Sequence, residues 1–232
     1  CRFCASTQGG KVRDLTAGEI AGEIYAVMKD TGERVSHIVL MGIGEPLDNF
    51  DHVMDFLSII SSPKGVQIGM RNISLSTCGL VPKIKELAQK KLQLTLSVSL
   101  HAPINEMRSK MMPVNDAYPV EELIAACREY QAITGRRISF EYSMVRGVND
   151  SPATAKKLAD LIRGMGAHVN LIPINPVDGS PFTATDAAAV KRFQETLTKL
   201  GVNATVRRRL GTDISAACGQ LRRNAKKEVT VG

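Results

Sequence analysis

Residues 35–46, VSHIVLMGIGEP, contain the pattern that decides the fold: an apolar run followed by a turn with two glycines. The run at 35–41 predicts a buried strand, and Gly42 and Gly44 allow the backbone to turn sharply and to approach a ligand closely. A helical pattern follows over 50–61. A buried strand that leads into a helix is typical of a parallel sheet covered by helices.

The same strand–helix unit recurs along the rest of the chain. Further strands are predicted at 73–76, 94–100, 137–145, 168–174 and 202–207. Further helices are predicted at 81–90, 120–134, 151–165 and 185–200. The pattern therefore indicates an α/β fold with parallel strands and outer helices. Because no linker interrupts it, we expect one domain over 1–232, with a basic C-terminal segment at 191–232 inside that domain.

Charge is concentrated at the C-terminal end of the chain. The formal net charge is +7, and residues 191–232 carry all of it, with ten Lys and Arg against three Asp and Glu. Such a surface suits a polyanion such as RNA, although a solvated basic tail has the same composition.

No apolar run is long enough to span a membrane. Five cysteines, an odd number, favour a reducing compartment, so we expect a cytoplasmic protein.

Polar groups collect where the predicted strands end. In parallel α/β folds the carboxyl ends of the strands share one edge, and ligands bind there. This edge receives hydroxyl groups, a carboxylate, an imidazole and an amide, a set that resembles the wall of a cofactor pocket. The groups belong to Gly44-Glu45-Pro46, Ser76-Thr77-Cys78-Gly79, Ser99-Leu100-His101 and Asn175-Pro176.

Cys1 and Cys4 form a Cys-x-x-Cys step at the start of the chain. Such a pair occurs in zinc half-sites, redox pairs and iron–sulfur sites, and also as buried thiols. A structural zinc site would need a second pair, whereas Cys78, Cys127 and Cys218 are widely spaced, so iron–sulfur ligation is favoured. We interpret Cys78 and Cys127 as packing residues. Because proteins are not translated from cysteine, we expect further residues upstream of Cys1.

Four ordered motifs make this sequence resemble the radical S-adenosylmethionine superfamily. Within that superfamily they are similar to the bacterial dual-specificity RNA methyltransferase family, which methylates carbon 2 of an adenine in large-subunit ribosomal RNA and in certain transfer RNAs. The motifs are CASTQGG at 4–10, MGIGEPL at 41–47, SLHA at 99–102 and CGQL at 218–221.

The resemblance implies an incomplete (β/α) barrel that binds a [4Fe–4S] cluster and S-adenosylmethionine. Cys1 and Cys4 match the second and third cysteines of the family's Cys-x-x-x-Cys-x-x-Cys motif, and the first is expected four residues before Cys1. Gly44 and Glu45 are expected to bind the ammonium end of S-adenosylmethionine. The other residues expected to line this cofactor are Ser76, Ser99, Leu100, His101 and Asn175.

The resemblance assigns the chemistry to Cys218, which would accept a methyl group from one S-adenosylmethionine before a radical formed from a second one activates it. A resolving cysteine, a disulfide bond and a general base also belong to the family, and the resolving cysteine and base map upstream of Cys1. We therefore expect residues 1–232 alone to be inert. The implied partners are ribosomal and transfer RNA and an electron donor such as flavodoxin, with no membrane and a monomeric state. RNA phosphates are expected on the arginines at 207–209 and 222–223.

Two alternatives remain at this point. A paralogous enzyme methylates carbon 8 of the same adenine, confers antibiotic resistance and shares the cysteine, cluster and cofactor motifs. A non-catalytic RNA-binding module with zinc at its cysteine pair would share the basic surface and the Cys-x-x-Cys step.

Overall fold

The computed structural model describes residues 1–4, 10–175 and 181–208. Its strands are β1 Ile38–Leu40, β2 Ile73–Thr77, β3 Thr95–Ser99, β4 Ile138–Met144, β5 His168–Pro173 and β6 Asn203–Val206. Its α-helices are α1 Ala17–Thr31, α2 Phe50–Ser61, α3 Val81–Gln89, α4 Asn105–Met111, α5 Val114–Ala117, α6 Val120–Thr134, α7 Pro152–Leu161 and α8 Ala187–Lys199.

The described strands form one sheet in which every neighbouring pair is parallel and the spatial order is β1-β2-β3-β4-β5-β6. Each strand therefore lies beside the next one in the chain, as in a (β/α) barrel. Within the described residues β1 and β6 do not pair with each other, so the barrel is incomplete. The predicted fold class, an incomplete (β/α) barrel with outer helices, is confirmed.

One face of the sheet carries the hydrophobic core. Leu75, Leu96, Phe140 and Leu171 stand on neighbouring strands and are fully buried in one cluster with the apolar faces of the helices. Helices pack in pairs over this face: α1 on α2, α3 on α6 and α7 on α8. At roughly 25 cal/mol for each Å² of apolar surface removed from water, this face supplies most of the driving force for folding.

The opposite face of the sheet is polar, which the sequence analysis did not predict. The register aligns Ser76 with Ser97, Ser97 with Ser139, and Ser139 with His168. Two residues further along each strand, the register aligns Ser99 with Glu141, Glu141 with Asn170, and Asn170 with Thr205. The alternation along the strands, clearest in Leu94 to Leu100, places hydroxyl, carboxyl and amide groups on the inner face of the partial barrel.

Three helices were absent from the sequence-based prediction: α1, α4 and α5. Helix α1 has a capping box, in which the Thr16 hydroxyl accepts the Glu19 N–H and the Glu19 carboxylate accepts the Thr16 N–H.

Helix α7 was predicted to reach residue 165 but ends at Leu161, because Gly164 and Gly166 adopt positive φ values in the turn that follows. Among the described helices, none has the length and apolar character that crossing a bilayer requires.

Candidate cofactor site

The turn after β1 places Gly44 and Glu45 at the carboxyl edge of the sheet. Gly44 has a φ of +124°, which side chains rarely tolerate, and it is exposed. One Glu45 oxygen accepts the Leu47 N–H at 3.0 Å, and the other accepts the Cys78 N–H at 2.6 Å. The carboxylate is thus fixed between the ends of β1 and β2, and each oxygen retains a lone pair for a further donor such as an ammonium group.

His101 follows β3 in a strained but well-supported turn. Its φ is +57°, and the Ala102 N–H donates to the Leu100 carbonyl across it at 2.7 Å. The His101 N–H donates to the Glu141 carbonyl, while the His101 Nδ1 accepts the Ser143 N–H at 2.9 Å. Since Nδ1 is an acceptor, the neutral ring carries its proton on Nε2.

Asn149 holds the turn at His101 through hydrogen bonds, and it is absent from the site residues predicted from the sequence. Its Nδ2 donates to the carbonyls of His101 and Ser143, both at 2.7 Å, and its Oδ1 accepts the Val145 N–H at 2.7 Å. The side chain is fully buried. A residue held at positive φ costs of order 1–3 kcal/mol, so these contacts explain how His101 keeps its conformation.

Arg108 is a second missed residue, and it joins the ends of β2 and β3. Its guanidinium donates to the carbonyls of Cys78 at 2.7 Å, Ser99 at 3.2 Å and Leu100 at 3.1 Å, and to the Asn115 Oδ1 at 3.2 Å. The side chain is fully buried, and burial lowers the pKa of Arg108 to about 10. Its spacing in the sequence could have indicated this burial. Arg108 lies four residues after Ile104 and three before Met111, which is the spacing of the apolar face of α4.

The Cys-x-x-Cys segment packs against the same edge. The Arg2 N–H donates to the Met111 carbonyl at 2.9 Å, and the Phe3 ring meets the His101 ring edge-on, with centroids 5.1 Å apart. A turn closes the segment, with the Cys4 N–H donating to the Cys1 carbonyl. Both cysteines are half-buried. The expected cluster ligands are thus brought beside His101.

These two cysteines fit an iron–sulfur cluster as two of its ligands, because such clusters are bound by thiolates. The described residues contain no group of three or more His, Cys, Asp or Glu side chains arranged to hold a metal ion. Residues 1–4, 10–175 and 181–208 therefore supply the pair and not a complete ligand set.

The expected disulfide bond is not supported, and this corrects the sequence-based expectation. No disulfide is formed by Cys1, Cys4, Cys78 or Cys127. Cys127 lies in the core on the buried face of α6, and burial raises its pKa to about 12. Burial, together with the charge and hydrogen bond of Glu45, raises the pKa of the Cys78 thiol to about 12. Both thiols are therefore protonated packing groups, poorly suited to disulfide chemistry.

The remaining predicted residues lie along the same edge. Ser76 is the penultimate residue of β2, Ser99 ends β3, Leu100 is fully buried beneath His101, and Asn175 lies two residues beyond β5. Ser76, Ser99 and Asn175 are half-buried. Leu100 contributes its backbone, whose N–H donates to Glu141 and whose carbonyl accepts from Arg108. Cys218 and the arginines at 209, 222 and 223 lie outside the described residues.

Comparison with known proteins identifies the family. The model of the radical SAM superfamily matches residues 1–162. A probable dual-specificity RNA methyltransferase RlmN of Desulforudis audaxviator is 52% identical over 223 residues, which are 96% of this chain and 70% of that protein. The chain belongs to the RlmN family of the radical SAM superfamily.

Further relatives and solved structures support this assignment to the RlmN family. The probable RlmN of Clostridium acetobutylicum is 52% identical over 228 residues, which are 98% of this chain and 66% of that protein. The crystal structure of a radical SAM methyltransferase from Sphaerobacter thermophilus matches with a TM-score of 0.91 and 47% identity, over 95% of this chain and 65% of that one. Streptococcus suis SuiB bound to S-adenosylmethionine shares the fold, with a TM-score of 0.67 at 17% identity. The chain spans about 65% of the length of several curated relatives.

His101 makes stability depend on pH. Burial, and then the nearby Arg108 charge, lower the pKa of His101 to about 3, against 6.5 for a free side chain. The unfolded chain therefore binds one more proton between pH 6.5 and pH 3, and the free energy of unfolding falls as the pH drops through that range. We expect His101 to account for a loss of roughly 2 kcal/mol between pH 7 and pH 5.

Urea unfolding at the two pH values measures this effect. His101→Asn keeps an acceptor for the Ser143 N–H, tolerates positive φ and removes the titrating ring. The variant should lose less stability between pH 7 and pH 5 than the wild type. Identical pH dependence in both proteins would contradict the assignment to His101.

Proposed function

We propose that the full-length gene product is a radical S-adenosylmethionine RNA methyltransferase that adds a methyl group to carbon 2 of adenine in large-subunit ribosomal RNA and transfer RNA. The observation that carries the proposal is the convergence at one sheet edge. Glu45, Ser99 and His101 lie there with the Cys-x-x-Cys segment, which contacts His101 through Phe3 and α4 through Arg2. Relatives that are 54% identical, from Desulforamulus reducens and Clostridium perfringens, are named as probable dual-specificity RNA methyltransferases.

Different residues of the sheet edge would bind different groups of S-adenosylmethionine. The open turn at Gly44 and the fixed carboxylate of Glu45 present carbonyl and carboxylate oxygens to the ammonium group. Ser76 and Ser99 offer hydroxyl groups, Asn175 offers an amide, and the neutral His101 offers an Nε2–H donor. The supporting contacts of Arg108 and Asn149 reduce the reorganisation that binding requires.

Cys1 and Cys4 would bind two irons of a [4Fe–4S] cluster, which when bound supplies the electron for reductive cleavage of S-adenosylmethionine. The role of this chain is to place the thiolates beside the cofactor edge through Phe3 and Met111. The Phe3 ring covers His101, and Phe182 lies edge-on to Phe3 at 6.3 Å. These apolar rings would help to exclude water from the cofactor edge when the cofactor is bound.

Cys218 is the proposed methyl acceptor, because a thiolate is a good nucleophile toward a methyl sulfonium and remains attached while the carbon is activated. The adenine must leave its stack to reach such a group. Flavodoxin as the electron donor, a monomeric state and a cytoplasmic location belong to the same proposal, and they rest on the family resemblance and on cysteine usage.

Metal analysis tests the cofactor assignment. After anaerobic reconstitution with iron and sulfide, the full-length gene product should be brown and contain about four irons, as a [4Fe–4S] cluster requires. Cys4→Ser should lose most of this iron, whereas the control Cys127→Ser, in the core of α6, should keep it. Stoichiometric zinc with no iron would refute the radical mechanism and favour the zinc-binding RNA module.

A further inference from the structure

A basic groove lies beside the cofactor edge, at the start of α8. It has a volume of about 540 Å³ and runs from Arg146, after β4, past Pro173 and Val206, which end β5 and β6. Three cationic side chains line it: Arg146, Lys191 on α8, and Arg207 after β6. We call it the α8 groove. Its volume lies in the range of ligand-binding clefts, and its cations come from three separate elements.

The backbone that carries the cations of the α8 groove is well ordered by hydrogen bonds. The Arg146 N–H donates to the Thr183 carbonyl at 3.0 Å, and the Arg207 N–H donates to the Leu171 carbonyl at 2.9 Å. The Thr185 hydroxyl donates to Asp150 at 2.9 Å, which joins the wall of the groove to the loop after β4. The backbone that carries the two arginines is therefore anchored to the neighbouring strand and loop.

The groove has a net positive charge. Asp186 is the acidic residue among its described lining, and its carboxylate is engaged at the N-terminus of α8, where it accepts the Ala189 N–H at 2.8 Å. Within the described residues neither Arg146 nor Arg207 forms an ion pair, whereas Lys191 lies 3.9 Å from Glu195. The Ala189 N–H and then the Arg146 charge lower the pKa of Asp186, and the Arg207 charge partly offsets the burial that raises the pKa of Glu141. Since neither arginine is at ion-pair distance from these carboxyl groups, both can also contact an external anion.

The position of the α8 groove selects the kind of anion. Pro173 lines it, and Asn175, an expected S-adenosylmethionine contact, lies two residues further along the chain. A chain of phosphates that reaches the cofactor edge from this side would lie against the wall that carries these cations. Arg208 follows Arg207 and is exposed, which extends the positive surface. Cations contributed by three separate elements suit a polyanion better than a single small anion.

We propose that the α8 groove binds the sugar–phosphate backbone of the substrate RNA, with Arg146, Lys191 and Arg207 contacting phosphates on the path to the cofactor edge. This inference rests on the proposed RNA methyltransferase function. It adds Arg146, which lies outside the basic segment 191–232, and places Lys191 and Arg207 of that segment in the same groove. The groove positions the strand, and the choice of base belongs to the cofactor edge.

The test combines three charge-removing substitutions, Arg146→Gln, Lys191→Gln and Arg207→Gln, in the full-length gene product. The probe is a fluorescein-labelled RNA stem-loop with adenines in its loop, and anisotropy gives the Kd at several salt concentrations. We expect the Kd to rise by at least about tenfold and the log Kd–log salt slope to fall by about two, as loss of three phosphate contacts requires. The matched control, Lys29→Gln, Lys64→Gln and Lys90→Gln, removes the same charge elsewhere and should change the Kd less than about twofold.

The outcomes separate this proposal from the proposed function. A triple variant that binds the stem-loop like the matched control would overturn the α8 groove while leaving the methyltransferase function intact. Loss of affinity for inorganic phosphate alone, with RNA binding unchanged, would also overturn it. Groove-dependent RNA binding by a protein that methylates no adenine would support the groove and overturn the proposed function. A wild type that does not bind the stem-loop would overturn the α8 groove as a site for an RNA backbone, whereas the methyltransferase function is decided by the methylated nucleosides.

Discussion

Arg108→Met is expected to lower the free energy of unfolding by about 3 kcal/mol. The substitution removes the donor to the buried Asn115 Oδ1 and to the partly buried carbonyls of Cys78 and Ser99, while the Leu100 carbonyl keeps the Ala102 N–H. Each buried acceptor left without a donor costs about 1–3 kcal/mol. Part of this loss is offset, because methionine avoids the cost of burying a cation, which is the cost that lowers the pKa of Arg108 to about 10.

Urea unfolding of the purified protein measures this effect, with Arg128→Met as a matched control. Arg128 also donates to two backbone carbonyls, those of Leu161 and Arg163, but it is exposed, so its loss should cost less than about 1 kcal/mol. Arg108→Lys retains the charge with fewer donors and should fall between wild type and Arg108→Met. A cost at Arg108 no greater than that at Arg128 would show that the β2–β3 ends do not depend on the guanidinium.

The second large effect concerns activity: Cys218→Ala in the full-length gene product is expected to abolish RNA methylation. Alanine has no sulfur to accept the methyl group, and no other step of the proposed mechanism can supply the methylene carbon without it. Iron content after reconstitution should stay at the wild-type level, because Cys218 is not a proposed cluster ligand.

Cys127→Ala is the control for this experiment. Cys127 is a fully buried packing residue of α6, so its loss should reduce stability modestly and leave methylation in place. Methylation that persists in Cys218→Ala would refute the role of that sulfur. Loss of iron in the same variant would assign Cys218 to the cluster instead.

Local pattern was sufficient to predict most of the fold. The helix predicted at 120–134 coincides with α6, and the one at 50–61 coincides with α2, because apolar spacing and the terminal Gly135 act within a few residues. The six strands of the described residues all occur where the sequence has apolar runs. Helix α1 was missed although Thr16 and Glu19 form a capping box, because Gly18 and Gly22 lower its helix propensity and Ala21 is its buried residue.

The candidate site was only partly predictable from the sequence. Gly44, Glu45, Ser99 and His101 follow strands directly, so strand order alone brings them to one edge. Asn149 and Arg108 reach the same edge from loops and helices through side-chain contacts that span up to 48 positions, and no local pattern encodes such contacts. The polar inner face was visible only as the Leu–Thr–Leu–Ser–Val–Ser alternation, whose meaning depends on the face that the helices cover.

Glu141 is an example of a polar residue that the alternation along the strands places on the inner face of the sheet. It lies on the inner face, where its carboxylate accepts from Asn170 at 2.7 Å, and burial raises the pKa of Glu141 above the ordinary value. A carboxyl group in the interior of a globular domain is costly unless it is hydrogen-bonded. The neighbouring strands supply these partners only after the sheet has formed, so the sequence of β4 alone could not reveal them.

Mass spectrometry of RNA is the most direct test of the central claim. The full-length gene product is expressed in a bacterial host from which the host's own methyltransferase of this family has been deleted, and ribosomal and transfer RNA are digested to nucleosides. We predict that 2-methyladenosine returns in both RNA classes and that the Cys218→Ala variant does not restore it. The appearance of 8-methyladenosine, or of no methylated adenosine at all, would contradict the assignment.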